Sequence, residues 1–509
     1  MTTAANPRDM LTTAPGLRAL EAVCVQEPAA NIILDRAVAF DEIVGSDLVV
    51  RERLPRLNEP WLRTALLAMG IPHHRRVATF LHSEANSGRV TDERAAVTSV
   101  ILRGVAPRSA LGTVPRPLLF TAEELEYIEQ YPQYETPVDP VNLLQPVGRP
   151  LDYAGYLCAI VKLTRLCNLR CTYCHDWRAG RDSTMDFTTL VGAVQQILHA
   201  RFGAIDFVWH GGEPLLLGPQ RLLRFLALQE MFARPRQIIR NHAQSNGMVT
   251  NRRTLDLLRL FDIKVSVSID GPPPVHDITR RSARNEATSA DVLRGIKTLH
   301  EYGILSGLLV VVSPALLAMD VGSLWKFLDA SPARSICFLP ERPGFGESLS
   351  VSKDDFADFL IKMYRARQAS GSIKKVRELD AIGQLLSNRQ SGFCELAGNC
   401  VGHFVSVDPN GDISHCDKYA GDPNYVLGSL TSLPLMEILD GPRATAVRAL
   451  ANEQLESMRT CPYFDLCQGW CPHERHVDSS YQEQGCCGLG SLFREIQQSA
   501  SHLTGPPLA

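Results

Sequence analysis

Between residues 155 and 340, strand-like and helix-like runs alternate, and this alternation constrains the fold more than any other feature of the chain. The strand-like runs are rich in apolar and β-branched residues, and each is followed by a segment with helical spacing. Strands separated by helices pair in parallel, so the pattern predicts successive βαβ units. The six predicted strands are Tyr156–Leu163, Ile205–Trp209, Gln237–Gln244, Ile263–Ile269, Ser306–Val312 and Ser335–Leu339.

The predicted fold is α/β: a partial (β/α)6 TIM-like barrel with an N-terminal extension and a C-terminal cysteine-rich, loop-dominated domain. Its helices are expected at Phe187–Arg201, Pro219–Phe232, Arg253–Phe261, Ala290–Tyr302 and Val321–Leu328, followed by Lys353–Ser370. Upstream, Thr121 and Glu124 form a capping box for a helix running towards Tyr131. Ligand chemistry in such a barrel is expected at the carboxyl ends of the strands.

The length of 509 residues corresponds to about three domains. Prolines between residues 137 and 150 form a stiff connector, so a first boundary is expected there. The predicted division is an N-terminal domain over 1–150, the barrel over 151–375, the cysteine-rich domain over 376–498 and a flexible tail over 499–509.

Charge and hydropathy exclude several classes of protein. A net charge of -3 and the lack of a long basic run argue against nucleic-acid binding. The longest apolar run is too short to span a bilayer, and the first 25 residues lack the pattern of a signal peptide. We therefore expect a cytoplasmic protein without a membrane partner.

The fourteen cysteines are grouped rather than scattered. In a reducing cytosol, grouped cysteines indicate metal or redox sites rather than disulfides. Cys167, Cys171 and Cys174 directly follow the first predicted strand. Iron–sulfur clusters normally take four thiolates, so a three-thiolate loop would leave one iron open for chemistry. A structural zinc site and three unrelated thiols are the alternatives.

The segment Cys167-Asn-Leu-Arg-Cys171-Thr-Tyr-Cys174 resembles the signature loop of the radical SAM superfamily. The resemblance implies a catalytic 4Fe–4S cluster whose open iron binds S-adenosyl-L-methionine, with Tyr173 packing beside the cluster. Three further strand ends resemble cofactor-binding motifs of the family. They contribute Gly211, Gly212, Glu213 and Pro214 toward the methionyl amine, Asn246, and Ser268 and Asp270 toward the ribose and carboxylate.

The cysteines after residue 390 resemble the SPASM extension of peptide-modifying radical SAM enzymes, which implies two auxiliary 4Fe–4S clusters. By resemblance the first takes Cys394, Cys400, Cys416 and Cys471, and the second takes Cys461, Cys467 and one of Cys486 and Cys487. Met458 stands where the family has a further cysteine. The second cluster is then three-ligated, or held by both Cys486 and Cys487, or completed by His473 or His476. A pair of zinc sites is the other interpretation.

Asp417 follows Cys416, where anaerobic sulfatase-maturing enzymes have a catalytic aspartate. We expect burial beside an anionic cluster to raise its proton affinity, which suits a base; a turn-forming aspartate is the alternative. The favoured function is a radical SAM oxidoreductase that modifies a side chain of a ribosomally made peptide, supplied with electrons by a donor such as flavodoxin or ferredoxin. Formylglycine formation in a sulfatase, dehydrogenation of a small alcohol or sugar, and a non-catalytic metalloprotein are the alternatives.

Overall fold

The structure is a computed structural model, and it describes residues 120–132, 155–177, 183–234, 237–249, 251–342, 348–387, 391, 393–398 and 400–503. Most of the expected N-terminal domain, 1–150, lies outside these residues, as do residues 504–509 of the expected tail. Within the described part, no helix combines the length and the apolar character that a membrane span requires.

Six parallel strands form the centre of a ten-stranded sheet and follow one another in chain order. Each strand matches its predicted bounds to within one residue at either end. The strands are β1 (Tyr156–Lys162), β2 (Ala204–His210), β3 (Ile238–Ser245), β4 (Lys264–Ser268), β5 (Leu305–Val312) and β6 (Ser335–Pro340). Their apolar residues are buried on both faces, as parallel strands covered by helices require. The predicted partial barrel is confirmed.

Helices cover this sheet and begin where the chain offers caps. Asp186, Asn251 and Asp320 accept hydrogen bonds from the first turns of α2, α4 and α8, whose ranges follow. The helices are α1 (Ala122–Glu129), α2 (Phe187–His199), α3 (Gly218–Phe232), α4 (Arg252–Leu260), α5 (Pro273–Thr279), α6 (Ser289–Glu301), α7 (Pro314–Leu317), α8 (Val321–Asp329) and α9 (Lys353–Ser370). The capping box of Thr121 and Glu124 is present at the start of α1.

The cysteine-rich region joins the same sheet. Strand β8 (Phe404–Val407) pairs in parallel with β1, so that Cys158 lies opposite Phe404 and Val161 opposite Val407. Strands β9 (Asp412–Ser414) and β10 (Val426–Ser429) then continue the sheet with antiparallel pairing. Through the parallel β1–β8 pairing, the loop after β8 lies at the carboxyl edge of the barrel.

Short elements occupy the rest of this region, connected by loops that carry the cysteines. They are β7 (Lys375–Val376), α10 (Arg377–Leu386), α11 (Leu435–Asp440), α12 (Pro442–Glu453), α13 (Phe464–Cys467), α14 (Pro472–Val477), α15 (Ser480–Glu483) and α16 (Gly490–Leu503). Helix α16 extends past residue 499, where the sequence predicts the start of a flexible tail. Its apolar face, with Leu492 and Phe493 fully buried, holds that part of the chain against the core.

Candidate active site

The loop after β1 brings its three thiols to the carboxyl edge of the sheet, as predicted. These are the thiols of Cys167, Cys171 and Cys174; burial raises the pKa of each to about 11, and each lies close enough to feel the charge of another. The loop backbone is held in place by Arg170 N donating to Arg281 O at 2.8 Å and Thr172 N donating to Thr279 O at 2.9 Å. One short loop therefore presents three potential ligands to a single position.

The paired glycines after β2 allow that strand end to contact the cysteine loop. Gly211 has φ +75°, and a Cβ there would lie 2.6 Å from Cβ of Lys162. A Cβ on Gly212 would overlap the carbonyl oxygen of Leu166. The sequence suggests that these glycines admit a ligand, whereas in the structure they admit the neighbouring loop. Pro214 then begins a single 3-10 turn.

Glu213 is fully buried and connects the ends of β2 and β3. Its carboxylate accepts hydrogen bonds from Asn246 N at 2.7 Å, from Leu215 N at 3.1 Å and from the Ser245 hydroxyl at 3.1 Å. These hydrogen bonds lower the pKa of Glu213, but burial outweighs them and raises it to about 7. Protein donors thus occupy the oxygens that the sequence suggests for an ammonium group, and recognition of the methionyl amine by this motif stays a prediction.

Tyr173 and Asp270 join the cysteine loop to the end of β4. The Tyr173 hydroxyl donates to Asp270 Oδ2 at 2.7 Å and accepts from Arg280 Nη1 at 2.7 Å. Thr279 donates to the same Asp270 oxygen at 2.6 Å. Burial raises the pKa of Asp270, whereas the charge of Arg280 lowers it. The buried guanidinium of Arg280 also interacts with the Cys171 thiol, which places a cation beside the three-thiol site.

Asn246 lies against the cysteine loop, and the Ser268 hydroxyl at the end of β4 contacts a side chain of β3. The Asn246 amide donates to Asn168 Oδ1 at 2.7 Å and lies 3.8 Å from Cys167 Sγ. Ser268 accepts a hydrogen bond from the Gln244 amide at 2.8 Å. Their proposed contacts with S-adenosylmethionine stay predictions.

A buried lysine organises the space between the cysteine loop and the cysteine-rich region. The Lys162 side chain is 1% exposed, and its ammonium lies 2.9 Å from Asp176, 2.8 Å from Asp417 and 3.6 Å from Asp408. Arg165 forms a second ion pair with Asp408 at 2.9 Å. We call these five residues the Lys162 network. Buried charges persist in a protein when they are paired in this way.

The members of the Lys162 network come from parts of the chain that are far apart. Lys162 ends β1 and lies opposite His210, a residue outside the network that ends β2. Asp176 follows the cysteine loop, Asp408 follows β8, and Asp417 follows β9. The His210 ring adds a contact of 3.6 Å to Asp417. The network therefore lies where the barrel and the cysteine-rich region meet.

Three of these side chains have the composition of a metal site. One ligand atom from each of Asp176, His210 and Asp417 lies within 4.8 Å of the others. However, the ammonium of Lys162 already contacts both carboxylates at hydrogen-bond distance. A metal ion would have to displace this buried cation, so the group is better described as a lysine-centred acid–base site.

The structure corrects the expected ionisation of Asp417. Burial alone would raise its pKa, but the charges of Lys162, His210 and Arg165 outweigh burial and hold the pKa well below its usual range. Asp417 is thus an ion-paired carboxylate rather than one with raised proton affinity. The sequence argument was wrong here because it considered the buried, anionic surroundings and not the lysine at the end of β1.

Sequence reasoning also missed Lys162 and Asp408 as site residues. Lys162 did carry a signal, because it is the one charged residue in the apolar run Tyr156–Lys162 and stands at the strand end where ligands bind. Asp408 could not be placed without knowing that β8 pairs with β1.

The first downstream set of four thiols assembles as the resemblance implies. These four cysteines interact electrostatically with one another and are Cys394, Cys400, Cys416 and Cys471. One cation lies close: Lys418 Nζ is 3.7 Å from Cys471 Sγ, and it is also 3.3 Å from the Glu474 carboxylate. His415 Nε2 lies 3.9 Å from Cys400 Sγ.

The other four cysteines after residue 390 form a second group. The thiols of Cys461, Cys467, Cys486 and Cys487 lie close enough to interact in pairs: Cys461 with Cys486, Cys486 with Cys487, and Cys487 with Cys467. The described residues thus contain one three-thiol and two four-thiol groups. Iron–sulfur clusters are held by cysteine sets, and these three groups therefore fit the binding of such clusters.

Comparison with known families agrees with this donor chemistry. Residues 161–318 match the radical SAM superfamily, and residues 399–462 match SPASM, an iron–sulfur cluster-binding domain. The first match spans the three-thiol loop and the motifs at the ends of β2, β3 and β4. Radical SAM domains use S-adenosylmethionine and a 4Fe–4S cluster, and SPASM domains add auxiliary clusters; these are the cofactors of the chain.

Curated relatives cover about two-thirds of the chain. A serine-type anaerobic sulfatase-maturating enzyme of Klebsiella aerogenes is 29% identical over 347 residues, which are 65% of this chain and 82% of the relative. A cysteine-type enzyme of Clostridium perfringens is 24% identical over 319 residues, 60% of this chain and 85% of the relative.

The fold is shared with a solved structure described as native anSMEcpe with bound AdoMet and Cp18Cys peptide. The two superpose with a TM-score of 0.60 at 22% identity, over 68% of this chain and 99% of the other. The similarity to sulfatase-maturating enzymes therefore holds for the fold as well as for the sequence.

Proposed function

The chain is a radical SAM enzyme of the maturase type with a SPASM extension, and on that premise we propose that it is an oxidoreductase that modifies a side chain of a ribosomally made peptide. The modified peptide would carry a cross-link or another modification made at a C–H bond. The observation that carries the proposal is the ion pair of Lys162 and Asp417. It supplies a proton acceptor at the position where the three-thiol loop approaches the first auxiliary set.

We assign the catalytic cluster to Cys167, Cys171 and Cys174, and the first auxiliary cluster to Cys394, Cys400, Cys416 and Cys471. When bound, the catalytic cluster and S-adenosylmethionine supply a 5′-deoxyadenosyl radical that removes a hydrogen atom from the substrate. The chain's own side chains position and neutralise charge around this reaction. Arg280 places a positive charge beside the thiolates of the cysteine loop, and the Glu213 carboxylate fixes the β2 and β3 ends.

Asp417 is the proposed catalytic base. After hydrogen-atom removal, formation of a new bond or a carbonyl requires the substrate radical to release a proton and an electron; an ionised carboxylate oxygen can accept the proton, and an auxiliary cluster, when bound, would take the electron. Lys162 keeps the carboxylate ionised and fixes its Oδ1, while the other oxygen, Oδ2, is directed toward His210 at 3.6 Å. Once Asp417 is protonated, Asp176 and Asp408 balance the positive charge of Lys162 and hold its ammonium in place.

Formylglycine formation is the second candidate, and one observation favours it. The curated relatives given above are sulfatase-maturating enzymes, and the aspartate after Cys416 is where such enzymes have their catalytic residue. Two features favour the peptide instead: Met458 replaces a family cysteine, and residues 1–150 lie largely outside the segment that resembles these enzymes. We propose that residues 1–150 recognise a leader segment of the peptide, that 151–375 form the catalytic barrel and that 376–498 bind the auxiliary clusters.

The test is an anaerobic assay with a chemical reductant and S-adenosylmethionine, followed by mass spectrometry of the substrate. Short peptides encoded beside the gene are compared with a sulfatase-derived peptide containing the target Cys or Ser. Loss of hydrogen from an encoded peptide supports the first candidate, and formylglycine in the sulfatase peptide supports the second. Turnover of a small alcohol or sugar with neither peptide modified contradicts both. Replacement of the chemical reductant by flavodoxin or ferredoxin tests the proposed electron donor.

A further inference from the structure

We propose that the second auxiliary cluster is held by four thiolates, with the adjacent residues Cys486 and Cys487 supplying two of them. Cys461 and Cys467 supply the others. The vicinal pair thereby replaces the cysteine that relatives carry at the position of Met458. The inference concerns the ligands of this chain and does not depend on which substrate is modified.

Contacts among the four thiols define the site. The Cys461 thiol lies close enough to that of Cys486 to interact with it, and the Cys486 thiol likewise lies close to that of Cys487. The Cys487 thiol also lies close enough to that of Cys467 to interact with it. The two adjacent residues therefore bridge the two cysteines of the preceding segment.

The backbone around the pair explains how adjacent residues face one site. Gly485 has φ +59°, and a Cβ there would lie 2.7 Å from the carbonyl oxygen of Ser457. This close approach brings the pair against the segment that leads to Cys461. After the pair, Gly488 has φ +81°, and its N–H donates to Cys486 Sγ at 3.3 Å. A glycine on each side lets the chain turn tightly enough for both thiols to converge.

The other candidate ligands are engaged elsewhere. His473 packs edge-on against Tyr419, with ring centroids 4.8 Å apart, and contacts Glu474 at 3.5 Å. His476 lies 3.2 Å from Asp422. Both histidines thus belong to the surroundings of the first auxiliary set. Met458 is buried, with 1% of its surface exposed. Its thioether sulfur carries no negative charge that could offset the positive charge of iron.

The members of the second four-thiol set differ in exposure, which provides a test on the unmodified protein. Cys461 and Cys486 are partly exposed, whereas Cys467 and Cys487 are buried. Thiolates bound to iron are protected from alkylation, and partly exposed free thiols are not. In anaerobically reconstituted protein, iodoacetamide is expected to label neither Cys461 nor Cys486, and to label both after iron is removed by a chelator.

Metal content tests the ligand set directly. Wild-type protein is expected to carry about twelve irons per chain, and Cys486→Ala and Cys487→Ala are each expected to fall towards about eight or to show an altered second-cluster signal in electron paramagnetic resonance. Cys158→Ala, which removes a buried thiol from β1, is the control and should keep the full iron content. Adding Met458→Cys to either variant should restore the lost iron, because it returns a thiolate to the family position.

The proposal is overturned if Cys486→Ala or Cys487→Ala keeps the full iron content with an unchanged spectrum, since that residue then does not ligate. Alkylation of Cys486 in the iron-loaded wild type overturns it as well. Zinc in place of iron at this site would also contradict it. Formation of 5′-deoxyadenosine, which depends on the separate three-thiol site, should persist in both variants and distinguishes local loss from global unfolding.

Discussion

The ammonium of Lys162 lies 2.8 Å from Oδ1 of Asp417, which joins the last residue of the first barrel strand to the residue that follows a cysteine of the first auxiliary set. The pair is buried on the lysine side and connects segments more than 250 residues apart in sequence. Through it, the position of a proposed catalytic base is set by the barrel and not by the cysteine-rich region alone.

Replacing the lysine should uncouple cofactor cleavage from product formation. Lys162→Met removes the cation from between Asp176, Asp408 and Asp417, at a cost of about 3–5 kcal/mol in the free energy of unfolding. Product formation is expected to fall by at least about 100-fold, with 5′-deoxyadenosine still formed. Lys162→Arg keeps the charge and should recover part of the product. Lys264→Met, at a partly exposed ion pair in β4, is the matched control.

Lys162 has a merely structural role if Lys162→Met loses stability but makes product at the wild-type rate once folded. The same conclusion follows if Lys162→Arg and Lys162→Met are equally impaired while retaining equal iron. Measuring thermal unfolding, iron content and product on the same preparations separates these cases.

Asp417→Asn should preserve the iron–sulfur clusters and abolish most turnover. Asparagine has nearly the same shape but no ionised oxygen, so it cannot accept the substrate proton. Product formation is expected to drop by about 100- to 10,000-fold, with unchanged iron content and continued uncoupled release of 5′-deoxyadenosine. Asp412→Asn, in β9 and outside the Lys162 network, should behave as wild type. Full turnover by Asp417→Asn would exclude the aspartate as the base.

The glycine contact between the β2 end and the cysteine loop predicts a sharp difference between two alanine variants. In Gly212→Ala the new Cβ meets the Leu166 carbonyl, so the cysteine loop must move and the catalytic iron should be lost. Gly218 also has a positive φ, of +76°, but faces open space, so Gly218→Ala should cost only about 1 kcal/mol. Iron content and melting temperature check both. Equal behaviour of the two variants would show that backbone conformation, and not the contact, matters.

Glu378 should make stability depend on pH. Its carboxylate is fully buried, accepts hydrogen bonds from Phe338 N at 2.8 Å and from the Cys337 thiol at 3.0 Å, and burial raises its pKa to about 7. A carboxyl whose pKa is higher in the folded state stabilises the fold below the unfolded pKa. That stability, on the order of 3 kcal/mol, is lost as pH rises through about 7.

Glu378→Gln removes this titration, so its melting temperature should vary less between pH 5 and pH 8 than that of the wild type. Glu301→Gln, at an exposed position near the end of α6, is the control and should leave the wild-type pH dependence intact. A pH dependence in Glu378→Gln equal to that of the wild type would contradict the assignment.

The barrel could be predicted from sequence because its determinants are local. The apolar runs at Leu157–Val161 and Leu308–Val312 and the caps at Asp186 and Ser352 act over a few residues. The three-thiol loop was equally accessible, since its spacing is contained in eight residues. Local signals of this kind can be recognised without knowledge of the tertiary structure.

The Lys162 network could not be predicted, because it depends on a pairing of strands that no sequence pattern indicates. Strand β8 has only four residues, and nothing local indicates that it adds to β1 rather than to another edge. That pairing brings Asp408 and Asp417 to Lys162 and reverses the expected ionisation of Asp417. The choice between Cys486 and Cys487 was hidden for the same reason, since it depends on contacts across separate loops.

The central claim is that Cys167, Cys171 and Cys174 hold a cluster whose open iron binds S-adenosylmethionine. The most direct test is release of 5′-deoxyadenosine by anaerobically reconstituted protein supplied with dithionite and S-adenosylmethionine, compared with Cys174→Ala prepared identically. We predict release by the wild type and none by the variant. Absence of 5′-deoxyadenosine from the wild type, or equal amounts from the two proteins, would contradict the account.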